Sequence, residues 1–296
     1  MTVLIVTKTT NYELHGPTIE AKMARGGVPS DAVARLKTAH QEHHDTVASL
    51  RLALNRAKIA FLEVSRDEPR ATEHDIVITV GGDGTLLAAS HQMARGGTLF
   101  GLRSSYSSVG YLCCAGPGDT EQLVEAVKSG LYHAVKVPRL MAKVFRLDTG
   151  NTTKSVPVLN DFLYANVNPA ATTRYKVSYG DKAEIHRSSG IWVATGVGST
   201  AAIYAAGGEK RPLDDPYAQY RVRELYRLGH EVPTMDGGFF DPSLESLKIE
   251  NRCPQAILAL DGQHGSLELA YGDRITFEWA PPVELVRQLG VAHGNH

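Results

Sequence analysis

Cysteine is scarce: Cys113, Cys114 and Cys253 are the only three in 296 residues. An odd, sparse set is not a disulfide framework, and no CxxC pair or Cys/His ligand spacing points to a structural zinc site, so a reducing compartment is expected. Net charge is also nearly absent, with 31 basic side chains against 32 acidic ones. No global field draws the chain to nucleic acid or to an anionic membrane, and any phosphate site has to be built locally. No apolar run approaches the roughly 20 residues of a membrane span. Residues 1–10 lack a charged n-region and a long apolar core, so no signal peptide is expected. Together these absences predict a cytoplasmic protein with neither nucleic acid nor membrane as partner.

The length, 296 residues, suits two lobes. Apolar, β-branched runs at 3–6, 61–64, 75–80 and 98–102 predict strands. Helices are expected from Ser30 or Asp31 as a cap, over 86–93, and over 121–128 between Asp119 and Gly130. Strands alternating with helices predict an α/β lobe, doubly wound around a mostly parallel sheet. Beyond Pro138 the pattern becomes mostly β, with runs at 140–147, 156–164, 172–179, 191–195, 247–250, 256–260, 267–271 and 275–279. Gly180-Asp181 forms a hairpin turn, and one helix is expected near 200–206. The predicted division is 1–137 for the α/β lobe, 138–280 for the β-rich lobe, and a segment 281–296 returning to the first. The charged, Gly- and Pro-rich stretch 209–242 reads as the least regular.

Gly81-Gly82-Asp83-Gly84-Thr85 follows the 75–80 strand directly. Open α/β sheets place ligands at this end of a strand. Consecutive glycines let backbone amides approach phosphate at a helix N-terminus. A carboxylate there would repel phosphate. Asp83 makes sense if it takes a proton from an attacking hydroxyl or helps to hold a metal ion. The loop is not of the GxxxxGK[ST] type, nor of the GxGxxG type, because Leu87 stands at the third glycine position. A second turn, Thr195-Gly196-Val197-Gly198-Ser199-Thr200, has the same strand, small-residue turn and helix order, and its hydroxyls can either cap the helix or meet a ligand. Asn160-Asp161 lies in a strand-like run, where neighbours point to opposite faces. Its carboxylate suits ribose hydroxyls and its amide a base edge, and a strand-end Asx turn explains the pair as well.

These motifs, in this order, resemble the NAD kinase family, which also carries the equivalents of Asp261-Gly262 and Gly272-Asp273. The resemblance runs over roughly 3–287. It implies an α/β lobe, a β-rich lobe, a dinucleotide in the cleft, ATP with Mg²⁺ as donor, NAD or NADH as acceptor, and a homodimer or homotetramer. Asp83 would be the general base on the adenosine-ribose 2′-hydroxyl. Gly82, Gly84 and Thr85 would lie near phosphates, Asn160 and Asp161 at the adenosine, and Ser189, Thr195, Gly198, Ser199, Thr200 and Ala201 along the nucleotides. The chain departs from the commonest pattern at 103–112, at Asp161, at Ser188-Ser189-Gly190 and at Ala202, which places it nearer the divergent, mitochondrial-type branch. Two other functions fit parts of the sequence. A lipid kinase shares the GGDGT loop, but it would want an acyl pocket or a basic stripe. A silent dinucleotide-binding regulator would have no use for Asp83. His40, His43 and His44 fall on one predicted helix without a third metal ligand in view, and read as a solvated face. Cys113-Cys114 reads as core.

Overall fold

Strand β1 (Thr2–Thr7) is followed by helices α1 (Asn11–Ala24) and α2 (Ser30–Arg56), then β2 (Ala60–Ser65), β3 (Ile76–Gly81), α3 (Asp83–Gln92), β4 (Thr98–Arg103), α4 (Thr120–Ser129) and β5 (Tyr132–Phe145). The computed structural model describes residues 2–27, 29–68, 74–93, 95–227 and 233–290. The chain divides into two compact units: Met1–Val135 with Val283–His296, and Lys136–Pro282.

In the first unit the sheet order is β2-β1-β3-β4, all parallel. Period-two alternation sends Val3, Ile5, Ile78, Val80, Phe100 and Leu102 to one face, where they pack with Val47, Leu50 and Leu54 of α2 and Leu123, Val124 and Val127 of α4. Leu4, Val77 and Leu99 are buried on the opposite face. There α3 approaches so closely that a Cβ at Gly101 would lie 2.9 Å from Leu86 Cδ1. Both faces are covered, which is why these strands are nearly continuous apolar runs.

Helix α1 was hidden in the sequence by Gly16-Pro17, two helix breakers. The structure starts it with a capping box: Thr10 Oγ1 accepts from Glu13 N–H at 3.2 Å, and Glu13 Oε2 accepts from Thr10 N–H at 2.6 Å. The cap of α2 also differs from expectation, because Pro29 holds the N-cap position and Ser30 is already helical.

The second unit continues with β6 (Thr152–Lys154), β7 (Asp161–Asn166), β8 (Thr173–Tyr179), β9 (Lys182–Ser188) and β10 (Gly190–Ala194). A 3-10 turn (Val197–Thr200) and the short α5 (Ala202–Ala205) follow. The remaining strands are β11 (Ala218–Arg223), β12 (Gly237–Phe240), β13 (Lys248–Asn251), β14 (Ala256–Leu260), β15 (Ser266–Leu269) and β16 (Arg274–Leu289). One antiparallel sheet has the order β12-β11-β10-β7-β14-β15. A second antiparallel layer joins β9, β8, β13 and the start of β16. Their inner faces share one core, in which Tyr164 meets Tyr175 edge-on at 5.3 Å and Phe162 meets Phe277 at 5.5 Å. The end of β16 belongs to the first unit, where Glu284 and Leu285 pair in parallel with Thr98 and Leu99 of β4. The stretch 209–242 is more regular than its composition suggests, since it supplies β11 and the edge strand β12; residues 228–232 of it lie outside the described residues.

Candidate active site

The glycine turn of the first unit sits at the carboxyl end of β3, with Gly82 as N-cap and Asp83, Gly84 and Thr85 as the first residues of α3. A Cβ at Gly82 would lie 2.6 Å from Ser108 Oγ, so the 104–108 loop comes close to the turn there. Thr85 is buried, and its hydroxyl has no partner among the described residues. Asp83 does not stand free in the loop. Its Oδ2 accepts from Tyr111 N–H at 3.0 Å and its Oδ1 from Leu112 N–H at 2.8 Å. The segment carrying those amides is itself held by two cations: Arg103 Nη1 donates to Ser108 O at 3.2 Å, and Arg287 Nη1 to Tyr111 O at 3.0 Å. The result is a fixed carboxylate on a glycine turn, bordered by guanidinium groups. Burial first, and then the charge of Asp83, push the neighbouring Cys113 thiol up to about 12, so it is no nucleophile.

Nothing in the sequence marks Arg103, Tyr111, Leu112 or Arg287 as site residues. Segment 103–112 stands out only as a departure from the family pattern, and backbone amides leave no trace in side-chain identity.

In the second unit one end of the antiparallel sheet gathers several predicted residues. Asp161 opens β7 and pairs with Ala194, the last residue of β10. Asn160 therefore precedes the strand instead of lying within it. Thr195 N–H donates to Asn160 O at 2.9 Å, and Gly198 packs on the same carbonyl so tightly that a Cβ would lie 2.1 Å away. Asp261 organises this corner, although the sequence marked it only as part of an Asp-Gly pair. Its carboxylate accepts three backbone N–H groups, from Leu159 at 3.0 Å, Asn160 at 2.8 Å and Asp161 at 3.0 Å. Asp261 has φ 44°, the left-handed region that Asx residues tolerate. Asn160 Oδ1 is buried with no partner among the described residues.

Burial, and then the charge of Asp261, push the Asp161 carboxyl up to about 8. The unfolded chain ionises near an ordinary carboxylate value of about 4, so between those limits the folded state holds the extra proton. This contribution to stability is complete below the unfolded value and is lost as pH rises through the folded one. Asp161→Asn has no proton to lose. Its Tm should vary less between about pH 5 and about pH 8.5 and exceed that of the native chain by several degrees at the upper end, as read by calorimetry.

Other predicted residues stand differently. Ser199 is fully buried; its hydroxyl donates to Gly196 O at 2.7 Å and accepts from Arg211 N–H at 2.9 Å, so it closes its own turn. The expected helix after it shrinks to four residues, Ala202–Ala205, preceded by the 3-10 turn; Thr200 is exposed and Ala201 half-buried. Ser189 lies before β10 and Thr195 after it, some 20 Å apart at strand rise. Ser189 instead lines a separate cavity of about 390 Å³ with Arg174, Arg187 and Glu224. Among the basic residues after Gly208, Arg211 pairs with Asp215, Arg221 with Asp236 and Arg223 with Glu224, while Lys210 lies 4.7 Å over the Tyr204 ring. No described helix is long and apolar enough to cross a membrane.

No family model matches the chain. A probable NADH kinase of Oryza sativa subsp. japonica is 31% identical over 265 residues, covering 81% of this chain and 80% of its own. Two solved structures share the fold. One is an NAD kinase from Archaeoglobus fulgidus in complex with ATP, with TM-score 0.65 and 21% identity over 96% of this chain and 93% of the other. The second is yeast NADH kinase complexed with NADH, with TM-score 0.67 and 15% identity over 99% and 84%. With nearly a third of the residues shared over four-fifths of both sequences, and the same fold around the GGDGT turn, the chain belongs to the NAD kinase family.

Proposed function

We propose that this chain transfers the γ-phosphoryl group of ATP, as its Mg²⁺ complex, to the 2′-hydroxyl of the adenosine ribose of NAD or NADH, forming NADP(H). The observation that carries this reading is the carboxylate of Asp83, fixed by two amides on a glycine turn. Each of its oxygens already accepts one N–H and keeps a second lone pair, so it can still receive the hydroxyl proton. Phosphoryl transfer needs alignment and charge neutralisation more than covalent help, and a held carboxylate beside amides supplies the first. Asn160 Oδ1 offers a buried acceptor that an adenine amino group would satisfy. Asp161, protonated over much of the neutral range, suits the ribose hydroxyls as a hydrogen-bond donor. Gly82, Gly84 and Thr85 would lie along phosphates, with Thr195, Gly198 and Ala201 shaping the nucleotide site. A homodimer or homotetramer and a cytoplasmic setting belong to the same proposal.

The test is incubation of the purified protein with ATP, Mg²⁺ and either NAD or NADH, followed by assay of NADP(H). Product from either acceptor supports the reading and gives the acceptor preference. Bound dinucleotide without product would replace the kinase by a silent binding protein; neither product nor binding would reopen a lipid acceptor.

A further inference from the structure

The first unit brings together three metal-ligating side chains that the GGDGT chemistry does not use. His40 and His44 lie one turn apart on α2, and α1 places Glu13 against them. One ligand atom from each lies within 4.8 Å of the other two, and Glu13 Oε1 is already 3.1 Å from His44 Nε2. The sequence could not show this third ligand, because it comes from a helix 31 residues upstream of His44.

The arrangement is held by its surroundings. The capping box fixes Glu13 through Oε2 and leaves Oε1 facing the histidines. Thr10 Oγ1 lies 2.8 Å from His40 Nδ1, and an Nδ1–H directed at that oxygen leaves the Nε2 lone pair for a ligand. Tyr12 packs against the His40 ring at 5.2 Å, and His40 against His44 at 4.4 Å. His43 is turned inward, pushed down to about 4 by burial and then by Lys8, so it stays neutral.

We propose that Glu13, His40 and His44 form a binding site for a divalent transition-metal ion of the zinc type, clamping α1 to α2. Two imidazoles and one carboxylate are a donor set zinc accepts, with the fourth position left to water. Zinc with bonds of about 2.0–2.1 Å sets its ligand atoms about 3.3 Å apart. The Glu13–His44 edge already has that length, and rotamer shifts of at most about 1.5 Å close the rest. Glu13 and His44 are exposed and His40 half-buried, so the ion can enter from solvent. The same turn of α2 carries Glu42, whose Oε2 accepts from Ser105 Oγ at 2.6 Å and Tyr106 N–H at 3.1 Å. The clamp therefore stiffens the helix that anchors the 104–108 loop against Gly82.

The test is independent of the reaction. Full-length protein is stripped with a chelator and titrated with Zn²⁺ against a chromophoric competitor, with Tm followed in parallel. The native chain should take up one ion more than His40→Ala/His44→Ala. Its Tm should rise with Zn²⁺ while that of the double variant does not, and Glu13→Gln should weaken binding about tenfold or more. Matching far-UV circular dichroism in chelator establishes that the variants are folded. If the double variant does not fold, Co²⁺ bound to the native chain decides: a tetrahedral visible spectrum without thiolate charge transfer supports the site. A thiolate band would place the ion on a cysteine and overturn it. Equal uptake by native and double-variant proteins, or none by either, would also overturn it.

Discussion

Asp83→Asn should lower kcat by at least about a hundredfold while dinucleotide affinity stays within a few-fold of native. The substitution keeps size and shape. Its remaining carbonyl oxygen can still accept from Leu112 N–H, while an amide NH₂ in place of Oδ2 loses the bond from Tyr111. That lost bond, on a half-exposed loop, costs about 1 kcal/mol and leaves the fold standing. A hundredfold loss of turnover corresponds to about 2.7 kcal/mol, more than the loosened loop accounts for. Gly110→Ala provides the comparison. Gly110 has φ 59° and a Cβ there would lie 2.9 Å from Arg103 Cδ, so a side chain strains the same loop through its backbone and through Arg103 without touching the carboxylate. If Gly110→Ala loses as much turnover as Asp83→Asn, Asp83 acts as a loop tie. If Asp83→Asn keeps near-normal turnover, it is no base.

Asp261→Ala should produce the largest loss of stability outside the hydrophobic cores. Its carboxylate is the partner of the Leu159, Asn160 and Asp161 amides, all within a buried corner. A buried amide left without a partner costs about 1–3 kcal/mol, so three of them amount to at least about 3 kcal/mol, and Tm should fall by about 6–12 °C in a chain of this size. Because Asn160 and Gly198 pack on this corner, dinucleotide binding should weaken with stability. Asp261→Asn separates charge from geometry. Its oxygen can still accept from Asn160 and Asp161, while the removed charge lets the Asp161 carboxyl fall from about 8. The loss of stability with rising pH should therefore end at a lower pH, with burial still holding Asp161 above an ordinary carboxylate. An unchanged Tm in Asp261→Ala would mean that water replaces the carboxylate at all three amides.

Much of the first unit was legible because β1, β3 and β4 are buried on both faces and therefore read as apolar runs with sharp ends. The 75–80 run became β3 within one residue, and Gly130 closes α4 with φ 72°. The breakers misled in α1, where a capping box and packing outweighed Gly16-Pro17. Between 200 and 206 the opposite happened: an alanine-rich run suggested a full helix, and the structure forms a 3-10 turn and a single helical turn. Composition misled between 209 and 242. Charged side chains there find partners in pairs such as Arg211–Asp215, which leaves the backbone free to add β11 and β12 to the sheet.

The sequence by itself determined the alternation of strands and helices from β2 to α4, the glycine turn after β3 and the identity of the carboxylate on it, because periodicity, φ requirements and acid–base chemistry are local properties. It also determined family membership. Tertiary structure alone decided what each polar group touches. It bound Asp83 to two amides, made Asp261 the acceptor for a whole strand entry, turned Ser199 inward and set Glu13 against His40 and His44. Those contacts join residues from a few to more than a hundred positions apart, and hydrogen bonds and ligand sets depend on distances of a few ångströms that only the packed chain defines.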